Sequence, residues 1–466
     1  MHYFAAVDLG ATSGRVAVGS VSADYLNFEI LHRFPNHIIQ DEEGSFLWDF
    51  KTLFEEVLNG LRLASRKYIL SSVAVDTWAV DYALYNEEWE QTAPIYSYRD
   101  SRTDGVMESM ISQYGKSELY KNTGIAFLPF NTIFQLIAAQ QRGDLATNAR
   151  FLMLPDVINH LLVGSHSNEI TNASSSQLLN ATTRDWDWDL IEEIGLPRSL
   201  FPQLHEAETT LGVITQHKEL SGIDVVAIGS HDTASAVAAI PMLNPEDTIY
   251  ISSGTWSLVG CELDHPVISD VALSMNLTNE LGVGNKVRLL KNVAGMWIIS
   301  QLLAEWQVDE PKLSILDLVQ EAKSVITPAR FDPNDPIFLH PGEMSDRILI
   351  KAFEYSQINL LSRAEIIRSV YESLAESYAR TINEISIATG KRFTAINIVG
   401  GGSANDFLNQ LTANATGLQV TAGPVEATLL GNIGVQAIRK GIIKDLTHLR
   451  KLVSTSYPLR HFDSRN

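Results

Sequence analysis

A carboxylate between a histidine and a hydroxyl is the feature of this chain that most suggests chemistry. His231, Asp232 and Thr233 follow an apolar run at 225–228 and open a segment of small residues. Between the end of a strand and the start of a helix, Asp232 would lie next to a substrate hydroxyl, where a general base is needed. The simpler interpretation is that Asp232 caps a helix beginning at Thr233. These residues alone leave both interpretations open.

Three turns of small residues could bind phosphate. They lie at 10–14, 252–255 and 400–403, and each follows an apolar run typical of a strand. Glycine lets the backbone approach a ligand closely, and successive N–H groups in such turns form anion-binding concavities. Each turn alone is equally typical of a hairpin or a structural turn. Asp8, at the end of the first strand, could hold Mg²⁺ through water or satisfy the N–H groups of its own turn.

Missing motifs exclude several kinds of site. Neither G-x-x-x-x-G-K-[ST] nor a strand-linked G-x-G-x-x-G occurs, so neither a P-loop nor a dinucleotide fold is predicted. The twelve histidines lack the spacing of metal ligands, and no zinc site is predicted. A formal net charge of −20 argues against nucleic-acid binding, because Lys and Arg hold a phosphate backbone.

Cysteine usage and apolar runs predict the compartment. Cys261 is the single cysteine, which fits a reducing environment. Asp8 interrupts the early apolar run, and no run approaches the roughly 18 residues of a membrane helix. We therefore expect a soluble cytoplasmic protein without a membrane partner.

The order of predicted elements suggests two related halves. Prolines and acids at 241–247 mark a boundary, and the strand, small-residue turn and strand that open the chain recur directly afterwards. Periodicity predicts helices over 51–68 and 363–388, and further helices from 233 and 405. Alternating or continuously apolar runs predict the following strands: 3–7, 15–21, 25–34, 72–75, 80–85, 225–228, 248–251, 256–260 and 395–399.

The motifs, taken in order, resemble the FGGY family of sugar kinases. Matching stretches extend from about residue 4 to about 440: 7–15, 76–81, 98–105, 230–233, 253–256, 291–292, 399–403 and 422–428. The resemblance implies an α/β protein of two actin–hexokinase–Hsp70-like (ribonuclease H-like) domains, with mixed sheets and an interdomain cleft. The N-terminal domain, 1–243, would bind mainly the sugar and contribute the first phosphate turn, and the C-terminal domain, 244–466, would bind mainly ATP.

The resemblance also implies a role for each site residue. Asp232 would take the proton from the C1 hydroxyl of a ketose, and Asp8 would help to position Mg²⁺. The residues implied to bind ATP are Ala11, Thr12, Ser13, Gly14, Arg15, Thr255 and Gly401. Those implied to bind the sugar are Ala79, His231, Asp232, Thr233 and Asn292.

The implied activity is ATP- and Mg²⁺-dependent phosphorylation of L-rhamnulose at C1. The resemblance has two departures: Ala79 replaces a glycine of the family pattern, and Ser300, followed by Gln301, stands where a nucleotide-contacting glutamine is expected. The first leaves L-fuculose or another ketose open as the substrate, because one methyl group in a pocket is worth about 1–3 kcal/mol. Three functions of different classes also stay open: a non-catalytic sensor, an actin-like assembly protein and a glycosidase using Asp76 and Asp81.

Overall fold

The computed structural model describes residues 1–146, 148–242 and 244–464, and the chain divides into two compact units. The first unit comprises Met1–Leu243, Glu262–Leu289 and Ala427–Ser456, and the second comprises Asn244–Cys261, Leu290–Glu426 and Tyr457–Asn466. Two later segments thus belong with the N-terminal unit. The single boundary that the sequence predicts, after Leu243, lies outside the described residues, and the domains 1–243 and 244–466 stay a prediction.

The bounds of the regular elements are as follows. The strands of the described residues are β1 His2–Leu9, β2 Ser13–Ser22, β3 Tyr25–Pro35, β4 Ile38–Gln40, β5 Phe46–Trp48, β6 Leu70–Thr77, β7 Tyr82–Tyr85, β8 Arg150–Met153, β9 Ser167–Glu169, β10 Leu179–Asn180, β11 Asp185–Trp186, β12 Gln203–His205, β13 Thr210–Val213, β14 Asp224–Val226, β15 Thr248–Ser253, β16 Trp256–Leu263, β17 Thr278–Leu281, β18 Val287–Ala294, β19 Ala395–Val399, β20 Gln419–Ala422 and β21 Arg460–Phe462. The α-helices are α1 Phe50–Lys67, α2 Val106–Tyr114, α3 Lys116–Tyr120, α4 Thr132–Arg142, α5 Leu154–Val163, α6 Ile170–Ala173, α7 Trp188–Glu193, α8 Asp232–Ala239, α9 Asp270–Ser274, α10 Trp297–Trp306, α11 Ile315–Ser324, α12 Met344–Ser356, α13 Arg363–Thr389, α14 Asp406–Thr416, α15 Ala427–Arg439 and α16 Leu446–Ser456.

A mixed six-stranded sheet forms the centre of the first unit, in the order β13-β14-β6-β1-β2-β3. The β1 strand pairs antiparallel with β2 and parallel with β6, with Asp8 opposite Arg15 on one side and Asp76 on the other. Partners in adjacent strands point to the same face of a sheet. The register therefore places the side chains of Asp8 and Asp76 next to each other.

The two faces of this sheet are covered by different helices. One face is apolar, with Val7 and Val75 packed in a cluster with Val57 and Leu61 of α1. The α1 helix presents its apolar stripe to the core, and Asp49 caps it by accepting from the N–H of Thr52. On the opposite face, a smaller apolar cluster joins the strands to α8 and α15: Ala74, Ile228, Ala238, Val283 and Val435.

Buried polar side chains of α15 bind the sheet beneath Asp8 and Asp76. Asn432 donates to Oδ2 of Asp76 at 2.6 Å, and Gln436 donates to the carbonyl of Ala5 at 3.0 Å. Ser72 donates to Gln436 at 2.7 Å. These bonds satisfy polar groups that would be costly to bury alone, so they fix α15 against the strands.

The second unit contains the strand order β16-β15-β19-β20-β21. The β15 strand pairs antiparallel with β16 and parallel with β19, so Ser252 lies opposite Val399. This register brings the turn after β15 and the turn after β19 to the same edge. No helix in the described parts of the chain is long and apolar enough to cross a membrane.

Three sequence predictions of element bounds were wrong. The strand predicted from Val80 begins only at Tyr82, because Val80 has a φ of 70° and the N–H of Asp81 donates to the carbonyl of Ala79. These are features of a tight γ-turn, which alternating apolar residues do not reveal. The strand predicted over 225–228 ends at Val226, and the helix predicted from Thr233 begins one residue earlier.

Candidate active site

Asp232 occupies the first turn of α8, with its carboxylate half-exposed. Its Oδ1 accepts from the N–H of Thr233 at 2.6 Å and from the hydroxyl of the same residue at 3.2 Å. Nε2 of His231 lies 3.4 Å from that oxygen. No donor among the described residues reaches Oδ2. Local bonds thus hold one oxygen in place and leave the other able to accept a proton.

The loop before Asp232 is anchored by a buried glutamate that sequence reasoning missed. Oε2 of Glu169 accepts from the N–H and the hydroxyl of Ser230, at 3.0 and 2.7 Å, and from the hydroxyl of Thr171 at 2.5 Å. The Thr171 hydroxyl in turn accepts from the N–H of His231 at 3.3 Å. Burial raises the pKa of Glu169, although these donors lower it. The carboxylate is therefore a structural acceptor beneath the loop.

Asp8 pairs with the arginine of its own hairpin. Nε and Nη2 of Arg15 donate to Oδ2 of Asp8 at 2.9 and 2.7 Å, and the Asp8 side chain is buried. Beside it, Asp76 is fully buried, and its Oδ1 has no hydrogen-bond partner. Burial raises the pKa of Asp76 well above its ordinary value, and the negative charge of Asp8 raises it further. The negative charge of Asp232 contributes in the same direction.

These carboxylates fit a magnesium site. The unpartnered oxygen of Asp76 is next to Asp8, and Mg²⁺ prefers carboxylate oxygens and retains several waters. The described residues contain no group of three or more His, Cys, Asp or Glu side chains that could hold a metal ion. Mg²⁺ commonly takes only one or two protein carboxylates together with substrate phosphates.

The first small-residue turn exposes the hydroxyls of Thr12 and Ser13. Asn36 braces it, donating from its amide side chain to the carbonyl of Gly10 at 3.1 Å and from its backbone N–H to the carbonyl of Thr12 at 3.0 Å. Gly14 has no positive φ, and a Cβ there would lie 2.3 Å from the ring of Phe34. Packing explains this glycine, whereas exposed polar groups remain at the tip of the turn.

The second and third turns pack closely against each other. A Cβ on Gly400 would lie 2.7 Å from the carbonyl oxygen of Ser253, and one on Gly402 would lie 2.0 Å from its hydroxyl. A Cβ on Gly295 would lie 2.8 Å from the carbonyl of Thr255, just before α10 begins. Close contact between these segments therefore requires all three glycines.

Gly401 differs from its neighbours. A Cβ there would meet no protein atom within 4 Å, and its φ is not positive. Protein packing and backbone conformation leave its identity unexplained. Thr255 is exposed in the second turn, and Ser300 is exposed on α10, where its hydroxyl donates to the carbonyl of Met296 at 3.0 Å. Gln301 follows it, half-buried.

The predicted sugar-binding Ala79 adjoins an aromatic cluster centred on a carboxylate. Oδ2 of Asp81 accepts from the indoles of Trp48 and Trp78 at 2.7 and 2.9 Å. Its Oδ1 accepts from Gln135 at 3.1 Å. Because burial raises the pKa of Asp81 to about 6 and its oxygens are occupied, this group positions the indoles. That arrangement is unsuited to a glycosidase acid–base pair with Asp76.

The structure brings together some predicted residues and adds others. The N–H of Thr77 donates to the carbonyl of Ser230 at 2.9 Å, which joins the end of β6 to the loop containing His231 and Asp232. Asn292 is half-buried on β18 of the second unit. The residues that sequence reasoning missed are Asn36, Asp76 as a partner of Asp8, Glu169, Glu280, Arg288 and Asn432. Of these, only Asp76 lay in a motif that the resemblance had marked.

Solved structures define the class of fold. A xylulose kinase from Lactobacillus acidophilus aligns with a TM-score of 0.82 at 16% identity, covering 100% of this chain and 94% of that one. Glycerol kinase of Plasmodium falciparum, solved with ADP, aligns with a TM-score of 0.79 at 15% identity, with coverage of 100% and 94%. The chain therefore has the two-domain α/β fold of these kinases, as the sequence predicted.

The family follows from sequence comparison. The N-terminal domain of the FGGY family of carbohydrate kinases matches residues 3–239, and its C-terminal domain matches residues 249–439. The chain belongs to this family and is a carbohydrate kinase, a phosphotransferase that uses ATP.

Relatives in three bacteria share the name rhamnulokinase. The protein of Halalkalibacterium halodurans is 41% identical, with coverage of 100% of this chain and 99% of its own. That of Bacillus subtilis is 38% identical, covering 99% and 96%, and that of Bacteroides thetaiotaomicron is 38% identical, covering 98% and 95%.

Proposed function

We propose that this chain is a cytoplasmic, ATP- and Mg²⁺-dependent kinase that phosphorylates L-rhamnulose at its C1 hydroxyl, with Asp232 as the general base. The observation that supports this substrate is the similarity, over almost the whole chain, to relatives named rhamnulokinase. The products are L-rhamnulose 1-phosphate and ADP.

The hydrogen bonds of Asp232 support its assignment as the base, because they fix one carboxylate oxygen and leave the other open. The C1 oxygen attacks the γ-phosphorus of ATP as the bond from that phosphorus to the β–γ bridging oxygen breaks. ADP leaves with the electron pair, and the hydroxyl proton passes to Asp232. The transition state is loose, so correct positioning matters more than a strong base.

The remaining site residues have roles in binding. Residues Ala11 to Arg15 and Thr255 offer N–H groups and hydroxyls to the phosphates, while Gly401 leaves space for the adenosine. Asp8, with Asp76 beside it, would hold Mg²⁺, which when bound neutralises phosphate charge. Ala79, His231, Thr233 and Asn292 are proposed to contact the sugar.

A coupled assay of ADP release across several acceptors tests the substrate. The acceptors are L-rhamnulose, L-fuculose, L-ribulose, D-xylulose and glycerol, each with ATP and Mg²⁺. We expect the highest kcat/KM with L-rhamnulose. A preference for L-fuculose would assign the site to another ketose and implicate Ala79. Nucleotide binding without acceptor-dependent ADP release would instead point to a sensor.

A further inference from the structure

A buried carboxylate, a buried guanidinium and an imidazole form a cluster behind Asp232. Oε2 of Glu280 lies 3.1 Å from Nδ1 of His231 and 3.0 Å from Nη2 of Arg288. The Arg288 side chain is completely buried, and those of Glu280 and His231 are almost so. These three residues and Asp232 all belong to the first unit.

The distances favour one arrangement of protons. Nη2 of Arg288 is also 3.1 Å from Nδ1 of His231, so an unprotonated Nδ1 could accept from the guanidinium. In that case a carboxylate oxygen would face a nitrogen lone pair at 3.1 Å, which is repulsive. When Nδ1 carries the proton, both it and Nη2 donate to the same oxygen of Glu280, and each charge is compensated.

The charge of Glu280 agrees with this arrangement. Burial alone would raise the pKa of its carboxyl, but its contacts with His231 and Arg288 outweigh burial and lower it. Glu280 is consequently an anion at neutral pH. An anion beside Nδ1 selects the Nδ1–H form of the ring, as a second carboxylate does for a metal-binding or catalytic histidine.

We propose that Glu280 is a positioning residue for the base: its carboxylate accepts Nδ1–H of His231 and thereby directs Nε2 of the ring to Asp232. This inference deepens the proposed kinase function and rests on it for its catalytic meaning. Nε2 of the ring then lies 3.4 Å from Oδ1 of Asp232.

The chain offers a matched control for Glu280. Glu262 is another buried glutamate of the first unit, and its Oε2 accepts from Nη2 of Arg450 at 2.6 Å. Arg450 also donates to carbonyls of Val237 and Ala238, near the opposite end of α8 from Asp232. Glu262→Gln and Glu280→Gln therefore both remove a buried anion from an arginine, but only the second removes it from His231.

The first test is the protonation state of His231 by nitrogen NMR of histidine-labelled protein, read without any substrate. Comparison with a His231→Gln spectrum assigns the ring. We expect Nδ1 to be protonated in the wild type and in E262Q, and E280Q to shift the ring toward the Nε2–H tautomer. An unprotonated Nδ1 in the wild type, or a ring unaffected by E280Q, would overturn the proposal.

The second test is the turnover of the same variants with L-rhamnulose, at a temperature where all are folded. We expect kcat of E280Q to fall about tenfold or more, because acid–base groups contribute about 10²–10⁴ and positioning supplies part of this. E262Q should keep the kcat of the wild type. Equal losses in both variants would assign Glu280 a purely structural role. Should the wild type not phosphorylate L-rhamnulose, the proposed function fails, while the NMR result still decides the position of the proton.

Discussion

At the scale of single residues, different constraints explain the glycines of the proposed site. Gly14 lies against the ring of Phe34, and Gly402 lies against the hydroxyl of Ser253, so both are explained by packing. Gly401 faces no protein atom within 4 Å. Neither packing nor backbone conformation requires this glycine, and adenosine is the group proposed to occupy the open space beside it.

Gly401→Ala and Gly431→Ala should have contrasting effects. We expect G401A to raise KM for ATP and to keep the Tm of the wild type, because its methyl group reaches only the proposed nucleotide space. A Cβ on Gly431 would lie 1.7 Å from the carbonyl oxygen of Ser235, so G431A should separate α15 from α8 and lower Tm. Thermal unfolding and ATP titration of both proteins measure these effects. A lower Tm for G401A with unchanged KM would refute the assignment of Gly401.

Val80 is strained next to the proposed sugar site. It is buried and β-branched, yet it has a φ of 70°, and its carbonyl accepts from Thr132 at 2.8 Å. Side chains in this conformation cost about 1–2 kcal/mol, and such strain is often found at functional sites. The turn orients Ala79 and explains why the strand starts only at Tyr82.

Comparing Ala and Gly at two buried valines measures this strain. At Val75, in the ordinary backbone of β6, Gly should be less stable than Ala. At Val80, only Gly adopts the positive φ without strain. The loss of unfolding free energy from Ala to Gly should therefore be about 1–2 kcal/mol smaller at Val80 than at Val75, or change sign. Urea unfolding of V75A, V75G, V80A and V80G gives this difference directly. The same Ala-to-Gly cost at both positions would show that the turn stores no strain.

At the scale of secondary-structure elements, buried polar side chains hydrogen-bond one element to another. Asp81 binds Trp48 and Trp78 at once, and their rings lie 4.4 Å apart. The α15 helix similarly bonds to the sheet through Asn432, which is 356 positions from Asp76. Removing one partner would leave the other buried and unsatisfied, so these groups specify how the elements assemble.

Asp81 should make stability depend on pH. Its pKa is about 6 in the folded protein and near its ordinary value of 3.8 after unfolding. Between these values the folded state binds more protons, so the contribution of Asp81 is complete below pH 3.8 and is lost as pH rises through 6. On acidification from pH 7 to pH 4, the wild type should therefore gain stability relative to D81N, by on the order of 2–3 kcal/mol.

Urea unfolding of the wild type and D81N at both pH values checks this expectation. Asp156 and Glu169, whose pKa values burial also raises, are present in both proteins and cancel in the difference. A difference in stability that is constant with pH would show that Asp81 titrates normally.

Local patterns sufficed where a segment buries one continuous apolar stripe, and they failed where the fold depends on distant residues. Periodicity predicted α1 and the long α13 within one or two residues, because each buries one continuous stripe. Val80 favours a strand by its residue type, so the turn there had no local signal. Glu280 and Asn432 lie in segments without a chemical motif. Only the folded chain brings them to His231 and Asp76.

At the scale of the whole molecule, family membership gives a common interpretation to features that are ambiguous one at a time. Phosphate-binding turns also occur in hairpins, and an aspartate at a helix start also occurs as a cap. The two FGGY domains match nearly the whole chain, and the Asp8–Asp76 pair and Asp232 belong to one unit. The first unit therefore contains the residues to which the proposed function assigns proton acceptance, the first phosphate-binding turn and the cation.

The most direct test of this account is L-rhamnulose-dependent ADP release by the wild type and by Asp232→Asn, with calorimetry of L-rhamnulose binding to both proteins. The account predicts robust turnover by the wild type. In D232N it predicts similar sugar affinity and a kcat reduced by about 10²–10⁴, because only the proton acceptor is lost. Near-wild-type turnover by D232N, with L-rhamnulose still bound, would contradict the assignment of Asp232 as the base.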